Sequence, residues 1–209
     1  MERLTVVYGC MYSGKSSYLL DKVESFRADN KKILLCKPQI DTRYAKNKVV
    51  SHLGQSLSCS VVSDPYEILV FVKNERKKNE GASRVHGVAI DEVQFFSQDI
   101  LTVIDELRAL NIFVLAAGLD HDWKGHPFGV MPDLLKDASH LVELFSQCGV
   151  CQSQARWTHR LVDNTEGILL GSHGVYEPRC DEHFQHLNST FVENKMPLLE
   201  KLSHSDKVV

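Results

Sequence analysis

Leu4-Thr5-Val6-Val7-Tyr8-Gly9-Cys10-Met11-Tyr12-Ser13-Gly14-Lys15-Ser16 is the stretch on which the fold turns. An apolar, β-prone run from Leu4 to Tyr8 stops at Gly9, and Gly9 to Ser16 fits G-x-x-x-x-G-K-S in full. A helix follows from about Lys15 to Asp29, with Leu19, Leu20, Val23 and Phe26 spaced three and four apart on one face. Strand, glycine-bounded loop and helix in that order predict a P-loop. Its glycines let the backbone curl so that successive amides point at phosphate oxygens, and the helix adds its positive end. Within it Lys15 is placed to bridge the β- and γ-phosphates and Ser16 to ligate Mg²⁺.

Outward from this loop, strands alternate with helices. Lys32 to Cys36 reads as a second buried strand, ended by Lys37-Pro38. Val85 to Ile90 reads as a third and Ile112 to Ala117 as a fourth. Between them a helix opens at Asp64-Pro65, with Asp64 as its cap and a charged, solvated tail from Lys73 to Gly81, and another runs from Ser97 to Leu110. The polar region from Asp41 to Ser60 is expected to be a loop or hairpin. The order predicts an α/β layer fold around a mainly parallel sheet, with ligands at the carboxyl ends of the strands. There the third strand delivers Asp91-Glu92. Asp91 suits the Walker B position near Mg²⁺, and Glu92, pointing elsewhere, suits a general base for an acceptor hydroxyl. Were the acceptor water, the same layout would serve an ATPase.

After about Phe145 the composition turns to Cys, His, Gly and Arg. Cys148-Gly149-Val150-Cys151 and Cys180-Asp181-Glu182-His183 make a C-x-x-C … C-x-x-H set, the ligand pattern of closed, structural Zn²⁺. The second knuckle argues against a redox role for the first pair. Cys10, Cys36 and Cys59 read as small buried hydrophobes. The expected division is 1–146 as the nucleotide-binding domain, 147–187 as a zinc-knuckle substrate domain and 188–209 as a flexible tail.

Composition excludes little but points one way. Hydrophobic content of 43% and a formal net charge of −3 suit a globular protein and give no electrostatic case for nucleic acid or membrane as partner. No apolar run approaches the roughly 20 residues that cross a bilayer. The opening residues leave no room for a signal peptide, so the cytoplasm is the expected location.

Taken together, the motifs resemble the type II thymidine kinase family, the cytosolic cellular, bacterial and poxviral group. The likeness covers about Leu4 to Phe184. It rests on the P-loop, Lys37-Pro38 with Asp41-Thr42-Arg43-Tyr44, and Ser51-His52. It continues through Ile90-Asp91-Glu92 with Gln94-Phe95-Phe96, Gly118-Leu119-Asp120 with Pro127-Phe128-Gly129, and the knuckles flanking Thr158 and Tyr176.

The resemblance implies transfer of the γ-phosphoryl of ATP to the 5′-hydroxyl of thymidine, and of deoxyuridine, with Glu92 as base and Lys15 and Arg43 assisting. It implies Asp41, Arg43, Asp91 and Gln94 in the ATP site beside Gly9 to Ser16, and a nucleoside pocket of Met11, Phe95, Leu119, Trp123, Phe128, Thr158 and Tyr176. Gly167-Ile168-Leu169-Leu170-Gly171 corresponds to a lasso whose backbone reads the pyrimidine edge. A homotetramer and feedback by thymidine triphosphate are further implications. The chain departs from the family pattern in five places. Cys10 stands where proline is usual, which adds a thiol near the phosphates. Leu53, Val93 and Gly174 replace other types. Trp123 stands where phenylalanine is usual, and either narrows the pocket or stacks better. Competing expectations are a kinase of this fold with shifted base preference, a P-loop ATPase with a zinc-ribbon module on nucleic acid, and a silent nucleotide-binding regulator.

Overall fold

In chain order, β1 (Leu4–Tyr8) leads into α1 (Lys15–Ala28), β2 (Lys32–Pro38), β3 (Lys48–Val50), β4 (Ser56–Ser58) and β5 (Ser60–Val62). Then come α2 (Glu67–Lys78), β6 (Val85–Ile90), α3 (Asp99–Ala109), β7 (Phe113–Gly118), α4 (Met131–Asp137) and β8 (His140–Glu143). Four short strands follow: β9 (Ser146–Gln147), β10 (Gln154–Ala155), β11 (Trp157–Arg160) and β12 (Tyr176–Arg179). This is a computed structural model, and it describes residues 3–41, 47–51, 54–78, 84–162 and 174–184. Arg43, His52, Leu53, the Gly167 to Gly171 segment and the tail from 188 lie outside the described residues.

Six strands form one sheet in the order β5-β2-β6-β7-β1-β8, and every pairing in it is parallel. Alternation along β1 divides the core. Leu4, Val6 and Tyr8 face a cluster that includes Ile68 of α2, Ile104 of α3 and Leu134 of α4. Val7 faces the opposite cluster, with Leu19, Leu20 and Val23 of α1 and Val49 of the β3–β4 hairpin. Both faces are covered, so the central strands are mostly apolar, and each fully buried Leu or Ile contributes roughly 1.5–3 kcal/mol.

The structure has two more sheet strands than the sequence pattern suggests. Ser60–Val62 belongs to the edge beside β2, not to the preceding polar loop. His140–Glu143 forms the other edge beside β1; all four of its residues are only half-buried, which leaves no clear apolar signal. The helix α4 was hidden by Pro132, which sits in its first turn, where no backbone N–H is required. Asp64 does not cap α2 directly. Its Oδ1 accepts from the Tyr66 amide at 2.8 Å and its carbonyl from the Glu67 amide at 3.0 Å, making one tight turn before the helix.

One strand, β7, lies between the P-loop strand β1 and the acidic strand β6. Their carboxyl ends therefore open onto one edge of the sheet. Beyond β8 the chain forms two antiparallel ribbons, β9–β10 and β11–β12, which carry the knuckles. Trp157 stacks on Phe184 at 4.6 Å and 11°, and its indole N–H donates to Asp181 at 2.6 Å. These contacts tie the ribbon to the second knuckle.

Candidate active site

The phosphate loop is shaped by two glycines. At Gly9 φ is +142°, and a Cβ would lie 2.0 Å from the Leu144 carbonyl oxygen, so no side chain fits. Gly14 caps α1 with φ +89°, while the space above its missing Cβ is open. Lys15 is nearly buried, and its ammonium donates to the Cys10 carbonyl at 2.5 Å and to Ser13 Oγ at 3.4 Å. Burial lowers its pKa from the ordinary lysine value, against the pull of Glu92, Asp120 and Asp91. The Cys10 thiol donates to the Ala155 carbonyl at 3.4 Å, and burial pushes it up to about 11 despite the neighbouring Lys15. Through this contact the side chain joins the loop to β10.

Across the loop mouth Ser16 Oγ donates to Asp91 Oδ2 at 3.1 Å. A hydroxyl and a carboxylate side by side are hard oxygen donors, a set that fits Mg²⁺. Asp91 is fixed by its amide, which donates to the Cys36 carbonyl of β2 at 2.9 Å. The next residue turns away, because Glu92 adopts φ 53°, ψ 41°. Its Oε2 accepts from Gln94 Nε2 at 2.5 Å, and Gln94 Oε1 accepts from the Leu119 amide at 3.1 Å. Gln94 thus braces the carboxylate against the end of β7, so its side chain is engaged with Glu92. Val93 is fully buried in the main core, which accounts for a larger residue there. Asp41 is buried beside Lys37, 3.5 Å away.

Met11, Leu119 and Tyr176 form a separate apolar cluster with Tyr12, Trp123, Phe128 and Val175 against it. Phe95 meets Phe128 edge-on at 5.5 Å and 86°. The Met11 amide donates to Thr158 Oγ1 at 3.0 Å, so the phosphate loop and β11 are directly bonded. A cleft lined by Met11, Tyr12, Gly14, Lys15, Ser16, Glu92 and Leu119 joins the loop to this cluster. Trp123 rides a loop built on Asp122, whose Oδ1 accepts from the amides of Lys124 (2.8 Å) and His126 (2.9 Å). Over the indole, 4.2 Å from its centroid, lies the guanidinium of Arg160. The sequence reading missed Arg160. Its signal was its place two residues after Thr158, on the same face of β11.

Cys148, Cys151, Cys180 and His183 meet, with one ligand atom from each within 4.8 Å of all the others. Cys151 and Cys180 sulfurs are 3.6 Å apart, and Cys180 Sγ is 3.1 Å from His183 Nδ1. Two sulfurs tetrahedrally disposed about zinc at ~2.3 Å stand ~3.8 Å apart, so the donor set and its spacing fit that ion. Burial raises the Cys148 thiol, but the backbone groups of Cys151, Cys180 and Val150 outweigh it and bring it below the ordinary thiol value, while burial raises the coupled Cys180 thiol beside it.

A phosphate loop, a hydroxyl–carboxylate pair and a second carboxylate lining the same cleft are the parts of a P-loop kinase of a small acceptor. The family model described as thymidine kinase matches residues 2–184. The chain belongs to the thymidine kinase family, a family of nucleoside kinases. It is 36% identical over 183 residues to a thymidine kinase of Bacteroides fragilis, covering 88% of this chain and 87% of that one. It is 37% identical over 177 residues to that of Mycoplasma mobile, covering 85% and 84%. To that of Bacteroides thetaiotaomicron it is 36% identical over 180 residues, covering 86% and 85%. No helix among the described residues is long and apolar enough to cross a membrane.

Proposed function

We propose that the chain transfers the γ-phosphoryl of ATP to the 5′-hydroxyl of thymidine, and of deoxyuridine, for nucleotide salvage. The observation that carries this reading is Glu92: a buried carboxylate braced by Gln94, in the same cleft as the phosphate loop. The loop amides receive the phosphate oxygens, and Lys15 exchanges the Cys10 carbonyl for the β- and γ-phosphates. Ser16 and Asp91 hold Mg²⁺, which when bound neutralises charge on the phosphate oxygens. Glu92 takes the 5′-hydroxyl proton as the new O–P bond forms and the bond to the β-phosphate oxygen breaks. Arg43 steadies the charge on the transferred group, and Asp41, held by Lys37, belongs to the same end of the site.

The nucleoside lies among Met11, Phe95, Leu119, Trp123, Phe128, Thr158 and Tyr176, and the backbone of Gly167 to Gly171 reads its pyrimidine edge. Residues 147–187 act as the substrate domain on the 1–146 nucleotide domain, with structural Zn²⁺ held by Cys148, Cys151, Cys180 and His183. A cytoplasmic homotetramer under thymidine triphosphate feedback, with no nucleic-acid partner, completes the proposal.

The test is purified protein with ATP, Mg²⁺ and a panel of nucleosides, scored for the 5′-monophosphate. Thymidine monophosphate is the expected product. ATP hydrolysis with no nucleoside acceptor refutes the kinase reading, and turnover of deoxycytidine or purines without thymidine moves it to a shifted base preference. Glu92→Gln is expected to lower turnover on the order of 10² to 10⁴ with ATP affinity nearly unchanged; normal turnover removes Glu92 from its role.

A further inference from the structure

Arg160 is a charged side chain only 7% exposed. Burying a guanidinium is unfavourable unless its charge and donors are well used. Its partners show where this one is used. The guanidinium carbon lies 4.2 Å from the centroid of Trp123 and 5.3 Å from that of Tyr176. Its Nη2 donates to the Tyr176 hydroxyl at 2.8 Å. Arg160 and Tyr176 are register partners across β11 and β12, while Trp123 comes from the Asp122-centred loop after β7. One cation therefore joins three separate pieces of chain, and both aromatics belong to the apolar cluster of Met11 and Leu119 at the cleft.

We infer that Arg160 is a positioning residue for the nucleoside: by gripping Trp123 and Tyr176 together it sets the width and tilt of the aromatic slot that accepts the base. The inference rests on the proposed nucleoside-kinase reading and deepens it. A cation held against an indole face is attracted by the ring quadrupole, and the planar fork can stack and donate at once, which an ammonium cannot. It also gives Trp123 a physical role, since the indole offers a larger face to the guanidinium than a phenyl ring does. Lys124 approaches the same indole at 5.0 Å from a half-buried position, so the ring is held by two cations, of which Arg160 is the closer and the better buried.

The test is steady-state kinetics of Arg160→Met, which keeps the apolar stem and removes the cation and the donor. The Michaelis constant for thymidine is expected to rise on the order of 10-fold, with that for ATP within about 2-fold. The preference for thymidine over deoxyguanosine should fall, because a loosened slot no longer excludes the larger base. In a Trp123→Leu background the same substitution should add less than about 2-fold, the non-additivity of residues acting as a unit. Equal rises in both Michaelis constants, an unchanged base preference or independent multiplication of the two penalties overturns the inference. If Arg160→Met does not fold, Tyr176→Phe keeps the ring and removes the hydroxyl that accepts from Arg160. A thymidine-specific loss of roughly 3-fold is then expected, and no loss overturns the role. The wild-type panel judges the substrate, whereas the split in Michaelis constants, read on whichever nucleoside is turned over, judges Arg160. A wild type that turns over none overturns both.

Discussion

Thr158→Val isolates the bond between the phosphate loop and the knuckle unit. Thr158 Oγ1 is the acceptor of the Met11 amide at 3.0 Å, with Met11 9% and Thr158 4% exposed. Valine keeps nearly the same shape, so packing is preserved and only the acceptor is lost. A buried amide left without its partner costs about 1–3 kcal/mol. Charged wholly to the binding-competent loop, that penalty weakens ATP affinity by roughly 5- to 150-fold, at about 1.4 kcal/mol per tenfold. Thr158→Ser retains the oxygen and should stay within about 3-fold of wild type. Calorimetric titration with Mg²⁺ and a non-hydrolysable ATP analogue measures the loop directly, without the nucleoside proposed to lie beside Thr158. If the valine variant binds the analogue as tightly as wild type and melts at the same temperature, the knuckle unit does not set the loop, and the coupling is refuted.

Three further outcomes follow from the same geometry. Metal analysis of native protein should find about one zinc per chain, and Cys180→Ser should lose it and weaken thymidine binding; full activity without zinc rejects the cluster. Gln94→Leu removes the donor to Glu92 and the acceptor of the Leu119 amide, so turnover should fall about 10- to 100-fold with ATP affinity retained; unchanged turnover shows that Glu92 needs no brace. Cys36 is fully buried, and burial raises its thiol to about 12 from 9.0. Its folded value exceeds its unfolded one, so its contribution is intact below about pH 9 and is lost as the pH rises toward about 12. Denaturation curves from pH 8 upward should therefore steepen in wild type and flatten in Cys36→Ala; parallel curves would falsify this.

What the sequence makes legible here depends on whether a residue's neighbours lie close in the chain. The P-loop, Asp91-Glu92 and the two knuckles are local patterns in which spacing alone brings donors together, and the structure assembles each of them. The sheet edges were harder. At β5 the strand is short and follows a polar hairpin, and at β8 His140 and Glu143 flank two apolar residues on a half-buried ribbon, so neither apolar nor alternating periodicity stands out. Nothing in the stretch around Cys10 announces its thiol's acceptor, Ala155, 145 residues away. Arg160 carried no motif. Its role depends on Trp123 and Tyr176 arriving from two other segments, and only the tertiary fold brings them together.

Glu92 sits in a left-handed backbone conformation, φ 53° and ψ 41°, that a glutamate adopts only at a cost of about 1–2 kcal/mol. Glycine or asparagine would occupy that position with less strain. With Glu92 as the proposed general base, activity and folding stability pull in opposite directions at this one codon. A lineage released from the need to phosphorylate its substrate would gain stability by losing this side chain, so decay of the enzyme at position 92 is downhill from the start. On that proposed role, the glutamate would persist only while selection on turnover outweighs the fold's own preference.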